Sequence, residues 1–145
     1  MKINVGNEEV DLDAGVMNFT EATLNDYLQK DASTYSYYHQ KWVDAQYLAT
    51  KFEDKYEAAY SAKFREFKEQ GATDKLAEAM AKSDAEVVEL KDKARITKRT
   101  KDHLWGFLKS LDKAHENALN LGYNVRKEVG ILYKQDVKSL DDIMH

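Results

Sequence analysis

The sequence predicts a mainly α protein: a long antiparallel helical hairpin, coiled-coil-like, with a short N-terminal β-hairpin, assembling as a homo-oligomer. Three observations carry that prediction. The 145 residues include no proline, so nothing in the composition interrupts long helices. Large and apolar residues recur at steps of three and four along two extended segments, the spacing of a coiled-coil seam. Only a few residues around Gly71 separate those segments, which places them antiparallel.

Residues 2–12 read as a β-hairpin, because Ile3 and Val5 alternate with polar residues, Gly6-Asn7 supplies the turn, and Val10 and Leu12 alternate again. A lone hairpin is marginal in water, so it is expected to dock on a helix or on a neighbouring subunit. Residues 1–19 are assigned to this acidic arm and 20–134 to a helical domain. Thr20 begins a short helix with Glu21 in its first turn. The first long helix is placed at about 33–70, starting near Asp31 or Ser33, with a seam through Tyr35, Tyr38, Trp42, Ala45, Ala49, Phe52, Tyr56 and Ala59. Gly71 fits its C′ position and Thr73 the N-cap of the next helix.

That second long helix is placed at about 74–121, with Gly122 as its stop. Its seam runs through Leu76, Met80, Ser83 and Val87, and on through Leu104, Leu108 and Leu111 to His115 and Ala118. A short helix at about 124–134 and a weakly ordered tail at 135–145 complete the chain. Val88, Ile96, Trp105 and Phe107 lie off the seam, and self-association is the simplest way to cover them. Trp42, Phe52, Leu104, Trp105, Leu108 and Leu111 are therefore the expected packing or oligomer contacts.

Charged residues make up 33% of the chain and mean hydropathy is −0.72, a modest supply of apolar material for one domain. The absence of cysteine excludes a disulfide framework and thiolate chemistry. MKINVGNEEV lacks the apolar run of a signal peptide, and no stretch approaches a membrane span, so a soluble intracellular protein is expected.

The net charge of −4 conceals an asymmetry. Residues 1–30 hold six acids and two bases, while 31–145 hold 20 of each. Within that balanced body, KDKARITKRTK at 91–101 carries six bases against Asp92. At about 100° per residue, Lys91, Arg95, Lys98 and Arg99 form one stripe able to follow a phosphate backbone. A bland reading is a solvated flank tied by salt bridges to the facing helix. AKFREFK at 62–68 interleaves Lys63, Arg65 and Lys68 with Phe64 and Phe67, the combination single-stranded nucleic acid requires. Those two rings could equally close the hairpin core. Catalytic signals are poor. His39, His103, His115 and His145 have no metal-ligand spacing, and no phosphate-binding glycine loop is present. No enzyme, metal or cofactor is expected.

LWGFLKSLDKAHENALNLGYNVRKE, residues 104–128, resembles the C-terminal half of the UvsY family, the recombination mediators of tailed phages. Its Trp105-Gly106-Phe107-Leu108 cluster, small residues Ala114 and Ala118, Gly122-Tyr123 and Arg126-Lys127 carry the resemblance, which extends in outline over residues 30–130. It implies a ring-like helical homo-oligomer that binds single-stranded DNA and helps load a phage recombinase onto DNA covered by the phage single-strand-binding protein, in the host cytoplasm. The family's basic motif begins Lys-x-Arg, matched here by Lys63-Phe64-Arg65, and continues into an aromatic and Ser-Gly-Arg ending that this chain lacks. The alternatives are a phage coiled-coil interaction protein without DNA affinity and, more remotely, a nucleic-acid mimic acting through the acidic head.

Overall fold

The computed structural model of the chain describes residues 1–144, with side chains at 1–138, 143 and 144. It contains strands β1 (Lys2–Val5) and β2 (Glu8–Asp11), a 3₁₀ turn at Ala14–Met17, and helices α1 (Leu24–Glu69), α2 (Asp74–Ser83) and α3 (Ala85–Met144). The chain divides into two compact units, both of which draw on α1 and α3. One comprises Met1–Leu12 and Tyr37–Phe107; the other comprises Asp13–Ser36 and the chain from Leu108 onward.

In the first unit β1 and β2 pair antiparallel with Ile3 opposite Val10 and Val5 opposite Glu8. Gly6 takes a φ of 62° and, among the described residues, no non-glycine has positive φ, the pattern of a type II′ turn with glycine at its first central position. Val5, Val10 and Leu12 are buried, so the hairpin presents one apolar face. That face is tied to α1 by two polar contacts. The Tyr38 hydroxyl donates to the Asp11 carbonyl at 2.7 Å, and Lys41 Nζ lies 2.6 Å from Glu8 Oε1.

α1 and α3 run antiparallel here, as ring contacts of Tyr38 with Phe107 and of Trp42 with Trp105 show. Ala45 and Ala49 are buried on α1, and Val87 and Leu104 on α3. Small residues on the α1 seam let the helices approach closely while Leu104, fully buried, fills the space between them. The turn between α1 and α2 is a Schellman motif: Ala72 N–H donates to Phe67 O, Gly71 N–H to Lys68 O, and Gly71 adopts φ 90°. The Thr73 side chain accepts from Leu76 N–H and caps α2.

In the second unit the start of α1 and the stretch of α3 after Leu108 bury Leu24, Tyr27, Ala114 and Ala118, with Met17, Phe19, Leu28 and Leu121 packed around them. The Phe19 and Tyr27 rings lie 4.8 Å apart. Asp13 accepts from Gly15 N–H at 2.8 Å and caps the 3₁₀ turn.

Several expected boundaries are corrected. The hairpin arm ends at Leu12, because Met17 and Phe19 pack into the second unit. The separate helix from Thr20 and the helix from 33 are one element, α1. Ser33 Oγ donates to Lys30 O and Asp31 binds the His115 ring, so neither side chain caps a helix start. The expected 74–121 helix breaks at Asp84, whose backbone is extended (ψ 134°) and whose carboxylate accepts from Glu86 and Val87 N–H at 3.0 and 3.2 Å. The break resets the helical phase, so Ala77 and Ala81 are buried on α2 while Leu76 and Met80 are exposed. Nor does Gly122 stop the helix. It stays helical within α3, where a Cβ would come 3.6 Å from the Leu24 side chain, and the expected 124–134 helix and the tail to Met144 continue α3.

Removing packed volume and removing one hydrogen bond should separate cleanly in urea unfolding. Leu104→Ala is expected to lose about 2–5 kcal/mol of stability. Tyr38→Phe, which keeps the ring and deletes only the tie to Asp11, should lose about 0.5–1.5 kcal/mol.

Candidate nucleic-acid interface

The basic residues singled out above fall into two groups with different surroundings. At the end of α1, Lys63 is half-buried, its Nζ 3.4 Å from Glu66 and 3.7 Å from Asp84. Its pKa is raised, first by the hydrogen bond to Glu66 and then by the charges of Glu66 and Asp84, which holds the ammonium protonated. Lys68 pairs with Asp74 at 2.7 Å. A phosphate would have to displace carboxylates to reach either lysine. Arg65 differs: it is exposed, makes no ion pair among the described residues, and lines an open groove with Tyr60, Phe64 and Lys68. The Tyr60 and Phe64 rings stack at 6.3 Å, so Phe64 packs within its own helix.

On α3 the arrangement is more open. Lys93 is engaged, 3.2 Å from Glu89 and over the Phe52 ring. Lys91, Arg95, Lys98, Arg99 and Lys101 make no ion pair among the described residues. The side of α3 carrying Lys93, Ile96, Thr97 and Thr100 lines a cavity of about 490 Å³ together with the hairpin turn at Gly6-Asn7. About 100° per residue puts Lys91, Arg95 and Lys98 on the opposite side of the helix. The hairpin therefore leaves the stripe uncovered.

Nor do the acids of the hairpin neutralise it. Glu8 binds Lys41, Glu9 binds Lys2 at 3.2 Å, and Asp11 lies 3.6 Å from the N-terminal ammonium. The two basic groups are not one patch. Lys63 reaches Asp84, and Lys91 lies seven residues further along α3, a rise of about 10 Å.

The expected packing residues also divide. In the first unit Leu104 is fully buried, whereas Phe52 and Trp42 are half-buried, with Lys55 Nζ 5.6 Å from the Phe52 ring centre. Trp105 is 44% exposed and touches Trp42, and the buried Trp42 indole N–H has no acceptor among the described residues. In the second unit Leu108 and Leu111 are buried.

Two functional arrangements escaped sequence reasoning. A helix over 74–121 would hold Asp84 in its interior, although Ser-Asp ahead of an acidic first turn is a readable cap signal. The second is in the second unit, where His115 Nδ1 contacts Asp31 beside a cavity of about 280 Å³ lined by Tyr27, Tyr35 and Leu111. No sequence spacing links residues 84 apart. No group of three or more His, Asp or Glu side chains able to hold a metal occurs among the described residues.

Charge reversal should act differently on the two groups. Lys63→Glu would set a third carboxylate beside Glu66 and Asp84, and is expected to lower the thermal midpoint by several degrees. Lys98→Glu, with no carboxylate partner to lose, should leave the melt within about 0.5 kcal/mol of the parent, as expected for a surface change.

Comparisons with protein-family models, with curated proteins and with solved structures found no match to this chain.

Proposed function

We propose that this protein is a recombination mediator of the UvsY type: a homo-oligomer that binds single-stranded DNA and helps load a recombinase onto DNA covered by single-strand-binding protein. The observation that carries the DNA-binding part is the stripe Lys91, Arg95, Lys98 and Arg99, uncovered by the hairpin and without carboxylate partners among the described residues. Cations left unpaired on one helix face supply the sequence-independent, counterion-releasing attraction on which phosphate-backbone binding rests. Arg65 is a secondary contact, while Lys63 and Lys68 serve chiefly to hold α1 to its neighbours.

Self-association rests on a second feature. Beyond the buried Ala118, the same face of α3 continues through Gly122, Val125, Val129 and Leu132 at steps of four and three. Gly122 lies against Leu24, the first residue of α1, so that helix supplies no partner further along. Val129 and Leu132 are each 60% exposed, and Tyr133 is exposed beside them. A coiled-coil seam extending past its intramolecular partner is supplied most simply by the same seam of another copy. Repeating a weak basic stripe around an oligomer then multiplies its hold on one strand. No described helix is long and apolar enough to cross a membrane.

Fluorescence anisotropy with labelled oligonucleotides tests the central reading. Binding should be insensitive to sequence and should weaken steeply with salt, with a log–log slope of about −0.7 per phosphate neutralised. The double variant Arg95→Glu/Lys98→Glu should bind at least tenfold more weakly with its mass unchanged. No binding at about 50 mM salt would leave the alternative, a coiled-coil interaction protein without DNA affinity. For assembly, sedimentation should give a multiple of 16.7 kDa, reduced towards a single chain by Val129→Glu/Leu132→Glu.

A further inference from the structure

The cavity of about 490 Å³ in the first unit lies on the side of α3 away from the basic stripe, and its size is that of a small-molecule site. α1 contributes Ala45, Leu48 and Phe52 to it at steps of three and four, with Lys51 beside Phe52. α3 contributes Lys93, Ile96 and Thr100, and the hairpin closes it with Asn4, Val5 and the Gly6-Asn7 turn. The hairpin wall is held in place. A Cβ on Gly6 would lie 3.4 Å from Leu48 Cδ1, and the neighbouring Glu8 and Asp11 are tied to Lys41 and Tyr38.

Polar capacity around this cavity is left unspent. Lys51 is exposed and makes no ion pair or side-chain hydrogen bond among the described residues. The side chains of Asn4, Asn7 and Thr100 likewise make no hydrogen bond there, whereas the Thr97 hydroxyl donates to Lys93 O at 2.9 Å. The Lys93 ammonium lies 5.9 Å from the Phe52 ring centre and 3.2 Å from Glu89. That ion pair is an exposed i,i+4 contact, which an incoming anion replaces at little cost. No Asp or Glu lines the cavity, so its charge comes from Lys51 and Lys93 alone.

We infer that this cavity binds a nucleoside phosphate, its phosphate held by Lys51 and Lys93 and its base set against Leu48, Phe52 and Ile96. Three chemical demands coincide there. Two ammonium groups with no lining carboxylate call for an anion. The apolar wall, which includes the 65% exposed Ile96, calls for a body that covers it. The amides of Asn4 and Asn7 each present a donor and an acceptor side by side, the pattern that pairs with a base edge. An inorganic anion would leave the apolar wall wet, and an alkyl carboxylate would leave the amides without partners. The inference stands apart from strand binding, because the stripe that carries that reading lies on the other side of α3.

Equilibrium dialysis of the full chain against AMP, adenosine or inorganic phosphate tests this. AMP should be retained at one per chain, with adenosine and phosphate each held about tenfold more weakly or worse, since each satisfies only part of the site. Lys51→Ala removes an exposed, unpaired ammonium, so the fold should persist while AMP binding weakens about tenfold and adenosine binding stays the same. Lys51→Arg should restore most of the AMP affinity. Arg95→Glu/Lys98→Glu, on the other side of α3, should leave it unchanged. A 5′-phosphorylated oligonucleotide that displaces AMP makes a strand end the source of the nucleotide; one that does not leaves a free nucleotide, and either result supports the site. No retention of AMP, or AMP held no more tightly than phosphate, overturns the inference. So does AMP binding that survives Lys51→Ala undiminished or disappears in Arg95→Glu/Lys98→Glu. Strand binding is read separately, by anisotropy of a labelled oligonucleotide, and none of these failures touches it.

Discussion

The Asp84 carboxylate sets the phase of everything that follows it in the first unit. One oxygen accepts the N–H groups of Glu86 and Val87 and starts α3, while the other faces Lys63 of α1. A single short side chain thereby ends α2, begins α3 and ties the new helix to the old one. Helical phase is cumulative, so the residue at which α3 begins decides which side chains face α1 twenty residues later. Val87 and Leu104 are buried, and Arg95 and Lys98 are on the surface, as a consequence of that starting point.

The same constraint separates the lysines and arginines into two kinds. Lys63 and Lys68 lie near helix ends, where carboxylates of the adjoining cap and first turn are within reach, and both are paired. Arg95, Lys98 and Arg99 lie mid-helix, exposed and with no ion pair among the described residues. Their i and i+4 neighbours include Lys91 and Asp102 but no acid close enough to form an ion pair. Local charge balance at the hairpin has a similar origin. Cross-strand pairing sets Lys2 opposite Asp11 and beside Glu9, and docking brings Lys41 to Glu8, which raises the lysine pKa through their hydrogen bond. Three of the six acids of residues 1–30, Glu8, Glu9 and Asp11, are spent there.

How much was legible depended on whether a signal was local. Gly71 and Thr73 announced a turn whose hydrogen bonds involve only residues 66–76, and both take the expected positions. Gly6-Asn7 likewise announced a two-residue turn. Ser33 and Gly122 misled because each carries a local preference that packing can override. With no proline or glycine between Leu24 and Glu69, one serine does not end the helix. Gly122 is small where Leu24 approaches, a use of glycine that leaves no trace in neighbouring residues. Within the candidate site, the basic stripe was legible as a run of side chains at helical spacing. That Lys93 would leave it for Glu89 and Phe52 was not.

By itself the sequence determined the elements: a proline-free pair of long helices with alanine and aromatic seams, a glycine turn between them, a short hairpin ahead, and a cluster of bases at 91–101. Each follows from backbone preference and periodicity, which act over a few residues. Tertiary structure alone decided which of those bases stay unpaired and which face of α3 the hairpin covers. The contacts responsible join Lys63 to Asp84, Lys41 to Glu8 and Trp42 to Trp105, residues 21 to 63 positions apart in sequence, and geometry at that range is settled by packing, not by propensity.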